Sequence, residues 1–223
     1  IISGLKDKKV LVTGATGGIG SCLVQMFAKE GAILGIHYHQ NQEKAQSLLR
    51  DIDMNGGRAE CFQADLLSTN ELSLVQDFIE RFGGIDILIN NAGGILGFMD
   101  FLELNEFAWT ETHRLNVQAP FFLAQRAFAY MKKHGGGKII NISSIAAKYG
   151  GSSESIHYGS AKAGLEAITV GLARAGAPYN ILVNAVQAGF IDTPLQRRFA
   201  GKKNLQERID LIPLKRPGTP QDI

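Results

Sequence analysis

Short apolar runs alternate with longer amphipathic stretches along most of the chain. Apolar runs at 10–12, 33–38, 59–64, 85–89, 138–142 and 181–186 predict six strands, and stretches at 19–30, 43–54, 71–82, 107–133 and 157–175 predict helices between them. Strands that are almost wholly apolar are typically buried on both faces. The alternation therefore predicts a doubly wound α/β domain with one parallel sheet and right-handed crossovers. Ligands of such a sheet bind at the carboxyl ends of its strands.

Length and composition narrow the choice of partners. The 223 residues suit one domain, 1–223, with a sizeable core. The formal net charge of +2, without a long run of Lys and Arg, predicts neither a nucleic acid nor a membrane partner. The sequence has no run of apolar residues long enough for a membrane span and no signal-peptide pattern. Two cysteines, Cys22 and Cys61, without a CxxC pair or a histidine cluster, favour a reduced, cytoplasmic protein without a metal site.

A glycine-rich turn joins the first strand to the first helix. Residues 13–20 read TGATGGIG, with glycines at Gly14, Gly18 and Gly20. Glycines let a backbone approach a pyrophosphate, and the following helix N-terminus offers N–H donors and partial positive charge. A turn in this position between a strand and a helix predicts a dinucleotide site. A glycine-rich turn without a ligand is the alternative.

The end of the second strand bears on which dinucleotide binds. An acidic residue there accepts a hydrogen bond from the 2′-OH of NAD. This chain instead reads HYHQN at 37–41, and its first carboxylate is Glu43. NADP(H) is therefore favoured over NAD(H), with His39, Gln40 and Asn41 as possible partners of the 2′-phosphate. His37 and His39 could equally be surface residues at the strand end.

Tyr158 and Lys162 are four residues apart on a predicted helix, and therefore share one of its faces. An ammonium beside a phenol favours the phenolate and would lower the tyrosine pKa. A tyrosine tuned in this way can exchange a proton with an alcohol oxygen. The fourth strand ends at 90–93 and the fifth at Ser143 and Ser144, so these groups should meet at one sheet edge. Their chemistry suits hydride transfer between a nicotinamide and a carbonyl or alcohol.

Together these motifs resemble those of the short-chain dehydrogenase/reductase family, and most of all its bacterial 3-oxoacyl-thioester reductases. The resemblance runs from about Lys9 to the end of the chain and implies a Rossmann fold. It implies a catalytic tetrad of Asn116, Ser144, Tyr158 and Lys162. In this family the tyrosine is the general acid in reduction, the lysine lowers its pKa and binds the nicotinamide ribose, the serine holds the substrate oxygen, and the asparagine supports a water. Ser143 is the rival for the serine role.

The resemblance also implies a set of cofactor contacts and an assembly. Asp65 would hold the adenine, and the family commonly forms homodimers or homotetramers. By this resemblance, segment 193–214 corresponds to a substrate lid, and this chain stops before the family's last helix and strand. The implied cofactor contacts are Gly14, Thr16, Gly17, Gly18, Ile19, Gly20, His39, Asp65, Leu66, Asn91, Ala92, Gly93, Tyr158, Lys162, Gly189, Ile191 and Thr193.

Two departures from the family pattern concern the pocket. Ala188 stands where proline usually precedes Gly189, with Gln187 before it, and the loop between Ser144 and Tyr158 is one residue longer than usual. The sequence predicts a reductase acting with NADP(H) on a small-molecule carbonyl or secondary alcohol, with 3-oxoacyl thioesters as candidates. An NAD-dependent sugar or secondary-alcohol dehydrogenase is the alternative. A non-enzymatic nucleotide sensor is disfavoured because all four tetrad residues are present.

Overall fold

The protein is described by a computed structural model that covers residues 4–68, 73–194 and 202–223, with the backbone alone at 202–205. Six strands form one parallel sheet in the order β3-β2-β1-β4-β5-β6. This sheet confirms the predicted doubly wound α/β fold. The strands are β1 (Lys9–Val12), β2 (Ile33–Tyr38), β3 (Arg58–Gln63), β4 (Ile87–Asn90), β5 (Gly137–Ser144) and β6 (Ile181–Ala188).

Helices connect the strands and cover both faces of the sheet. Two short 3₁₀ turns, Ala177–Tyr179 and Pro220–Asp222, complete the described secondary structure together with one π-helical turn. No helix among the described residues is long and apolar enough to cross a membrane. The helices are α1 (Gly18–Lys29), α2 (Gln42–Met54), α3 (Ser73–Phe82), α4 (Glu106–His113), α5 (Ala119–Met131), α6 (Ala146–Tyr149), α7 (Ile156–Gly176) and α8 (Lys202–Asp210).

Two apolar cores lie on opposite faces of the sheet because side chains alternate along each strand. Val10 and Val12 of β1 pack with residues of α1 and α2, whereas Leu11 packs with residues of α3 and α5. Gly35 of β2 makes room for the second core, since a Cβ there would lie 2.6 Å from the ring of Phe78. The cores therefore fix how the helices sit on the sheet.

The order in which strands are added to the sheet reverses between β1 and β4, although all strands stay parallel. β1 leads outward to β2 and β3, and β4 leads the other way to β5 and β6. The carboxyl ends of β1 and β4 lie side by side, and the Thr13 amide donates to the Ile89 carbonyl at 3.0 Å. A crevice at such a reversal is where α/β sheets of this kind bind ligands.

The predicted long helix at 107–133 is in fact two helices joined by a π-helical turn, Arg114–Gln118. Pro120, in the first turn of α5, lacks the N–H that would bond to the Asn116 carbonyl in a continuous α-helix. The helical hydrogen bonds change here from i→i−4 to i→i−5, as in the bond from the Ala119 amide to the Arg114 carbonyl. Asn116 is buried within this turn.

Loop regions differ less from expectation. α6 is a short helix inside a stretch predicted as loop, and β5 and β6 each extend two residues further toward the site than predicted. Of the predicted lid at 193–214, residues 195–201 lie outside the described part of the chain, and α8 lies within the remainder.

Candidate active site

The glycine-rich turn sits over the carboxyl end of β1 and beside that of β4. Gly14 has a φ of +61°, and a Cβ there would lie 2.8 Å from the Cα of Ala92. A Cβ on Gly20 would lie only 2.2 Å from the Gly14 carbonyl oxygen. Side chains at either position would therefore push the turn away from its neighbours. α1 starts directly behind, with Gly17 at its N-cap and no side-chain cap, which suits a phosphate at its N–H groups.

Thr13 and Asn91 tie the turn to the end of β4. The Thr13 hydroxyl accepts from the amides of Asn91 at 3.0 Å and Ala92 at 2.9 Å. The Asn91 side-chain amide donates to the carbonyls of Thr13 at 2.9 Å and Gly14 at 3.1 Å. The glycine turn and the β4 motif are thus one hydrogen-bonded unit. Thr13 was not predicted as a site residue; its signal was a hydroxyl immediately before the first glycine.

The ends of β2 and β3 form the other half of the crevice. His39 lies with its Nε2 3.7 Å from Oδ2 of Asp65, and both side chains are about half exposed. The Asp65 carboxylate also accepts from the Leu67 amide at 2.9 Å, which orients it toward the crevice rim. Asn41 caps α2 by accepting from the Lys44 amide at 3.0 Å. Its side-chain oxygen is therefore occupied locally.

Ser144, Tyr158 and Lys162 come together at the end of β5. Tyr158 and Lys162 lie on the first turns of α7, and the Lys162 Nζ is 5.8 Å from the centre of the Tyr158 ring. The Lys162 ammonium donates to the Ile142 carbonyl at 2.8 Å. The Ser144 hydroxyl accepts from the Ala146 amide at 3.2 Å and lies near enough to the Tyr158 phenol to influence its pKa. The helical spacing thus brings phenol and ammonium to one wall, as predicted from the sequence.

Burial dominates the titration of both groups. Burial lowers the pKa of Lys162 from 10.5 to about 8. Burial also raises the pKa of Tyr158, against a smaller lowering by the hydrogen bond from Ser144. The structure does not show the predicted lowering of the tyrosine pKa by the ammonium: loss of water around the phenol is the largest influence and raises the pKa, and the ammonium donates to a backbone carbonyl instead.

Asn116 reaches the site through the loop after β4. Its side-chain oxygen accepts from the Gly94 amide, and its side-chain nitrogen donates to the Gly94 carbonyl, both at 2.9 Å. A Cβ on Gly93 would lie 2.8 Å from the Asn116 Oδ1 and 3.1 Å from the Lys162 Nζ. The π-helical turn thus brings its asparagine next to the lysine.

Ser143 points away from this group. Its hydroxyl donates to Oε1 of Glu166 at 2.6 Å, and the Gln187 amide donates to both oxygens of Glu166 at 2.9 Å. This leaves Ser144 as the serine hydroxyl nearest the phenol. Gln187, one of the departures from the family pattern, is therefore engaged in fixing the end of β6 to α7.

Two loops at the rim of the crevice are joined through their backbones. The Met99 amide donates to the Glu154 carbonyl at 3.0 Å, and the Phe101 amide donates to the Ser153 carbonyl at 3.1 Å. Leu96, in the first of these loops, lines the crevice. The loop after β4 and the loop before α7 therefore form one wall.

The predicted site residues share a single cleft of about 530 Å³, a volume typical of small-molecule sites. Asn116 is the exception: it stands behind the wall and acts on Gly94. Among the described residues there is no group of three or more His, Cys, Asp and Glu side chains placed to hold a metal ion. Predicted residues that line the cleft are Gly14, Thr16, Gly17, Gly18, Ile19, Gly20, His39, Asp65, Leu66, Asn91, Ala92, Gly93, Ser144, Tyr158, Lys162, Gly189, Ile191 and Thr193.

His37 was misjudged as a possible surface residue. It is only 2% exposed, and both of its ring nitrogens are within hydrogen-bonding distance of backbone groups. The signal in the sequence was its position inside the run ILGIHY, which forms β2 and is buried at every position.

The cleft fits an extended dinucleotide. It is lined by the glycine turn before the uncapped N-terminus of α1, by His39 and Asp65 in one half, and by polar groups at the end of β5 in the other.

Comparisons with known proteins agree with this geometry. A family model described as short chain dehydrogenase matches residues 8–204. The chain is 34% identical over 221 residues to a 3-oxoacyl-[acyl-carrier-protein] reductase of Chlamydia pneumoniae, covering 98% of this chain and 87% of the relative. It is 38% identical over 226 residues to an L-rhamnose 1-dehydrogenase (NAD(P)(+)) of Azotobacter vinelandii, with the same coverage.

A solved structure is similar over nearly the whole chain as well. It is a short chain dehydrogenase from Burkholderia cenocepacia in complex with NADP, 31% identical, with a TM-score of 0.90 and coverage of 98% of this chain and 87% of that one. Sequence, fold and the layout of the cleft therefore agree. The chain belongs to the short-chain dehydrogenase/reductase family of NAD(P)-dependent oxidoreductases.

Proposed function

We propose that the protein transfers a hydride between NADP(H) and a carbonyl or secondary alcohol, with 3-oxoacyl thioesters as its first candidate substrates. The observation that carries the proposal is the shared cleft, in which Ser144, Tyr158 and Lys162 stand at one end of the crevice that begins at the glycine turn. The bound nicotinamide supplies or accepts the hydride. The protein's own groups then have to bind the substrate oxygen and move a proton.

Tyr158 is the proposed proton donor in reduction. Because burial raises the pKa of its phenol, the group keeps its proton at neutral pH and can give it to a carbonyl oxygen. The Ser144 hydroxyl lies beside the phenol in the same cleft, so both O–H groups can converge on one substrate oxygen and polarise the carbonyl. In the oxidative direction the deprotonated form of the same group, the phenolate, would take the alcohol proton.

Lys162 and Asn116 are proposed to hold the surroundings of the tyrosine. The ammonium donates one of its three N–H groups to the Ile142 carbonyl, and its other two can donate to ribose hydroxyls. Asn116 fixes the backbone of Gly94, and so sets the wall next to the ammonium. A water between Asn116 and Lys162 would complete a proton relay.

NADPH is the proposed cofactor because no carboxylate terminates β2. His39 stands at that position, half exposed, and its ring can donate to a 2′-phosphate. Asp65 is the nearby acid, but His39 pairs with it at 3.7 Å, which offsets its charge when the imidazole is protonated. Replacement of His39 by aspartate should shift the preference toward NADH, because the new carboxylate accepts from a 2′-OH and repels a 2′-phosphate.

The test is oxidation of NADPH and of NADH, followed by absorbance, with an acetoacetyl thioester as substrate and His39→Asp in parallel. Faster oxidation of NADPH by the wild type, with the ratio of kcat/KM values falling in His39→Asp, would support both parts of the proposal. Equal rates with both cofactors in both proteins would contradict the assignment of His39. No oxidation with either cofactor would reject the thioester as substrate.

A sugar dehydrogenase is the second candidate. It is favoured by the 38% identity to the relative named L-rhamnose 1-dehydrogenase (NAD(P)(+)), a higher value than that to the thioester reductase. Reduction of NAD or NADP in the presence of L-rhamnose or another secondary alcohol, without activity on the thioester, would select it over the first proposal.

A further inference from the structure

His37 joins the two halves of the cleft from beneath. It is the second-last residue of β2, and its Nδ1 lies 3.0 Å from the Gly14 amide nitrogen of the glycine turn. Its Nε2 lies 3.1 Å from the Ala64 carbonyl, directly before Asp65. The next amide of the turn, that of Ala15, donates to the His37 carbonyl at 2.9 Å. Two successive amides of the turn, those of Gly14 and Ala15, therefore both donate to this residue.

The partners of the ring define its chemical state. A backbone amide can only donate, so Nδ1 must accept from Gly14; a carbonyl can only accept, so Nε2 must carry the proton. The ring is thus neutral, with its hydrogen on Nε2. Burial agrees with this state: it outweighs the raising effect of the bond to the Ala64 carbonyl and, with a smaller lowering by His39, brings the pKa of His37 from 6.5 to about 4. His39 in turn faces Asp65, and the glycine turn itself has no titratable side chain.

We propose that His37 is a positioning residue for the cofactor, in which the neutral ring holds the glycine turn in register with the Asp65 segment. The inference rests on the cofactor contacts proposed above. Gly14 has a left-handed φ of +61° and lies against Ala92, so a freed Gly14 amide would let the start of the turn shift. A shift there would move the N–H groups that meet the phosphates relative to the groups that meet the adenine.

Replacement of His37 by asparagine or by glutamine tests its two ring hydrogen bonds one at a time, because each amide side chain can keep one bond and must lose the other. In His37→Asn the side-chain oxygen stands close to where Nδ1 was and can still accept from Gly14. In His37→Gln the longer side chain reaches the Ala64 carbonyl as a donor and leaves Gly14 without an acceptor. An unsatisfied buried N–H is costly, so His37→Gln should raise the Kd for NADPH about tenfold, and His37→Asn should stay within about threefold.

The readout is the Kd for NADPH, measured by the change in its fluorescence on titration with each variant, without substrate. Thermal unfolding of the ligand-free variants is measured alongside. Weak binding in His37→Gln, near wild-type binding in His37→Asn and similar melting temperatures in the two variants would support the proposal. Unchanged binding in His37→Gln, or equal weakening in both variants, would overturn it.

Steady-state kinetics with an active substrate distinguish positioning from chemistry. The variant His37→Gln should show a raised KM for the cofactor, with kcat within about twofold of wild type at saturating cofactor. A loss confined to kcat would overturn the proposal. Since the fluorescence titration needs no turnover, a failure of the proposed reaction would leave this test intact.

Discussion

Replacement of Lys162 by methionine tests what the buried ammonium costs the fold. The lysine side chain is 3% exposed, and its described hydrogen bond is to the Ile142 carbonyl. Methionine fills a similar volume without charge. We expect the variant to lose turnover, since the proposed contacts with the tyrosine and the ribose are gone. Its stability should respond to pH differently from that of the wild type.

The magnitude follows from the pKa. Burial lowers the pKa of Lys162 from 10.5 to about 8. At ~1.4 kcal/mol for each pKa unit, keeping the ammonium in the folded protein costs about 3 kcal/mol at neutral pH. Below pH 8 the lysine is protonated in both states and the cost is present in full. Between pH 8 and 10.5 the folded protein has released the proton first, so the wild type gains stability as pH rises.

The assay is urea unfolding of ligand-free wild type and Lys162→Met, followed by circular dichroism at pH 7 and pH 9.5. Over this interval the wild type should gain about 2 kcal/mol relative to the variant. The difference between the two pH values isolates the charge, because the lost bond to Ile142 and the change in packing contribute at both. The matched control is Lys133→Met, which removes an exposed lysine and should follow the wild type.

The reasoning would be refuted if the free energy of unfolding changed with pH in the same way in the wild type and in Lys162→Met. It would mean that the ammonium is as well solvated in the folded protein as in the unfolded chain. If the wild type and Lys133→Met both gain stability between pH 7 and pH 9.5 and Lys162→Met does not, the buried lysine is confirmed as the source of the gain. Active-site groups that destabilise the fold in this way are a common trade of stability for function.

Three further changes test the rest of the site. Tyr158→Phe should keep NADPH binding and lose nearly all turnover, as shown by fluorescence titration beside an activity assay; wild-type turnover would remove the tyrosine from proton transfer. Ser144→Ala should lower kcat by about 10²-fold, as loss of an oxyanion donor does. Ser143→Ala should keep kcat within about threefold, because the Ser143 hydroxyl bonds Glu166 and not the substrate. A larger loss of kcat in Ser143→Ala than in Ser144→Ala would exchange the roles of the two serines. Gly20→Ala should weaken cofactor binding more than tenfold, since a Cβ would lie 2.2 Å from a carbonyl oxygen of the turn; an unchanged Kd would show that the turn adapts.

Strand positions were predictable because a parallel sheet buries both faces of its strands. The run at 33–38 is buried at every position, and such a run leaves few alternatives to an inner strand. Helices between the strands followed from amphipathic periodicity. The break at Arg114–Gln118 was not predicted, although Pro120 was its signal, because proline in the first turn of a helix and proline within a long helix look alike in sequence.

The cleft was predictable as a set of residues and less so as a set of bonds. Motifs at strand ends must converge at one sheet edge, and those residues do line one cleft. The state of Tyr158 depends on how much water reaches it, and the sequence carries no direct measure of that. His37 depends on the path of the glycine turn above it, which brings a backbone amide to its ring.

The junction between the two rim loops has a consequence for how this protein can change over generations. Its two bonds, from Met99 to Glu154 and from Phe101 to Ser153, use peptide groups alone. Side chains along both loops can therefore be exchanged while the wall keeps its course. A lineage with such a wall can therefore change the side chains that face the substrate without rebuilding the scaffold that holds the tyrosine and the lysine.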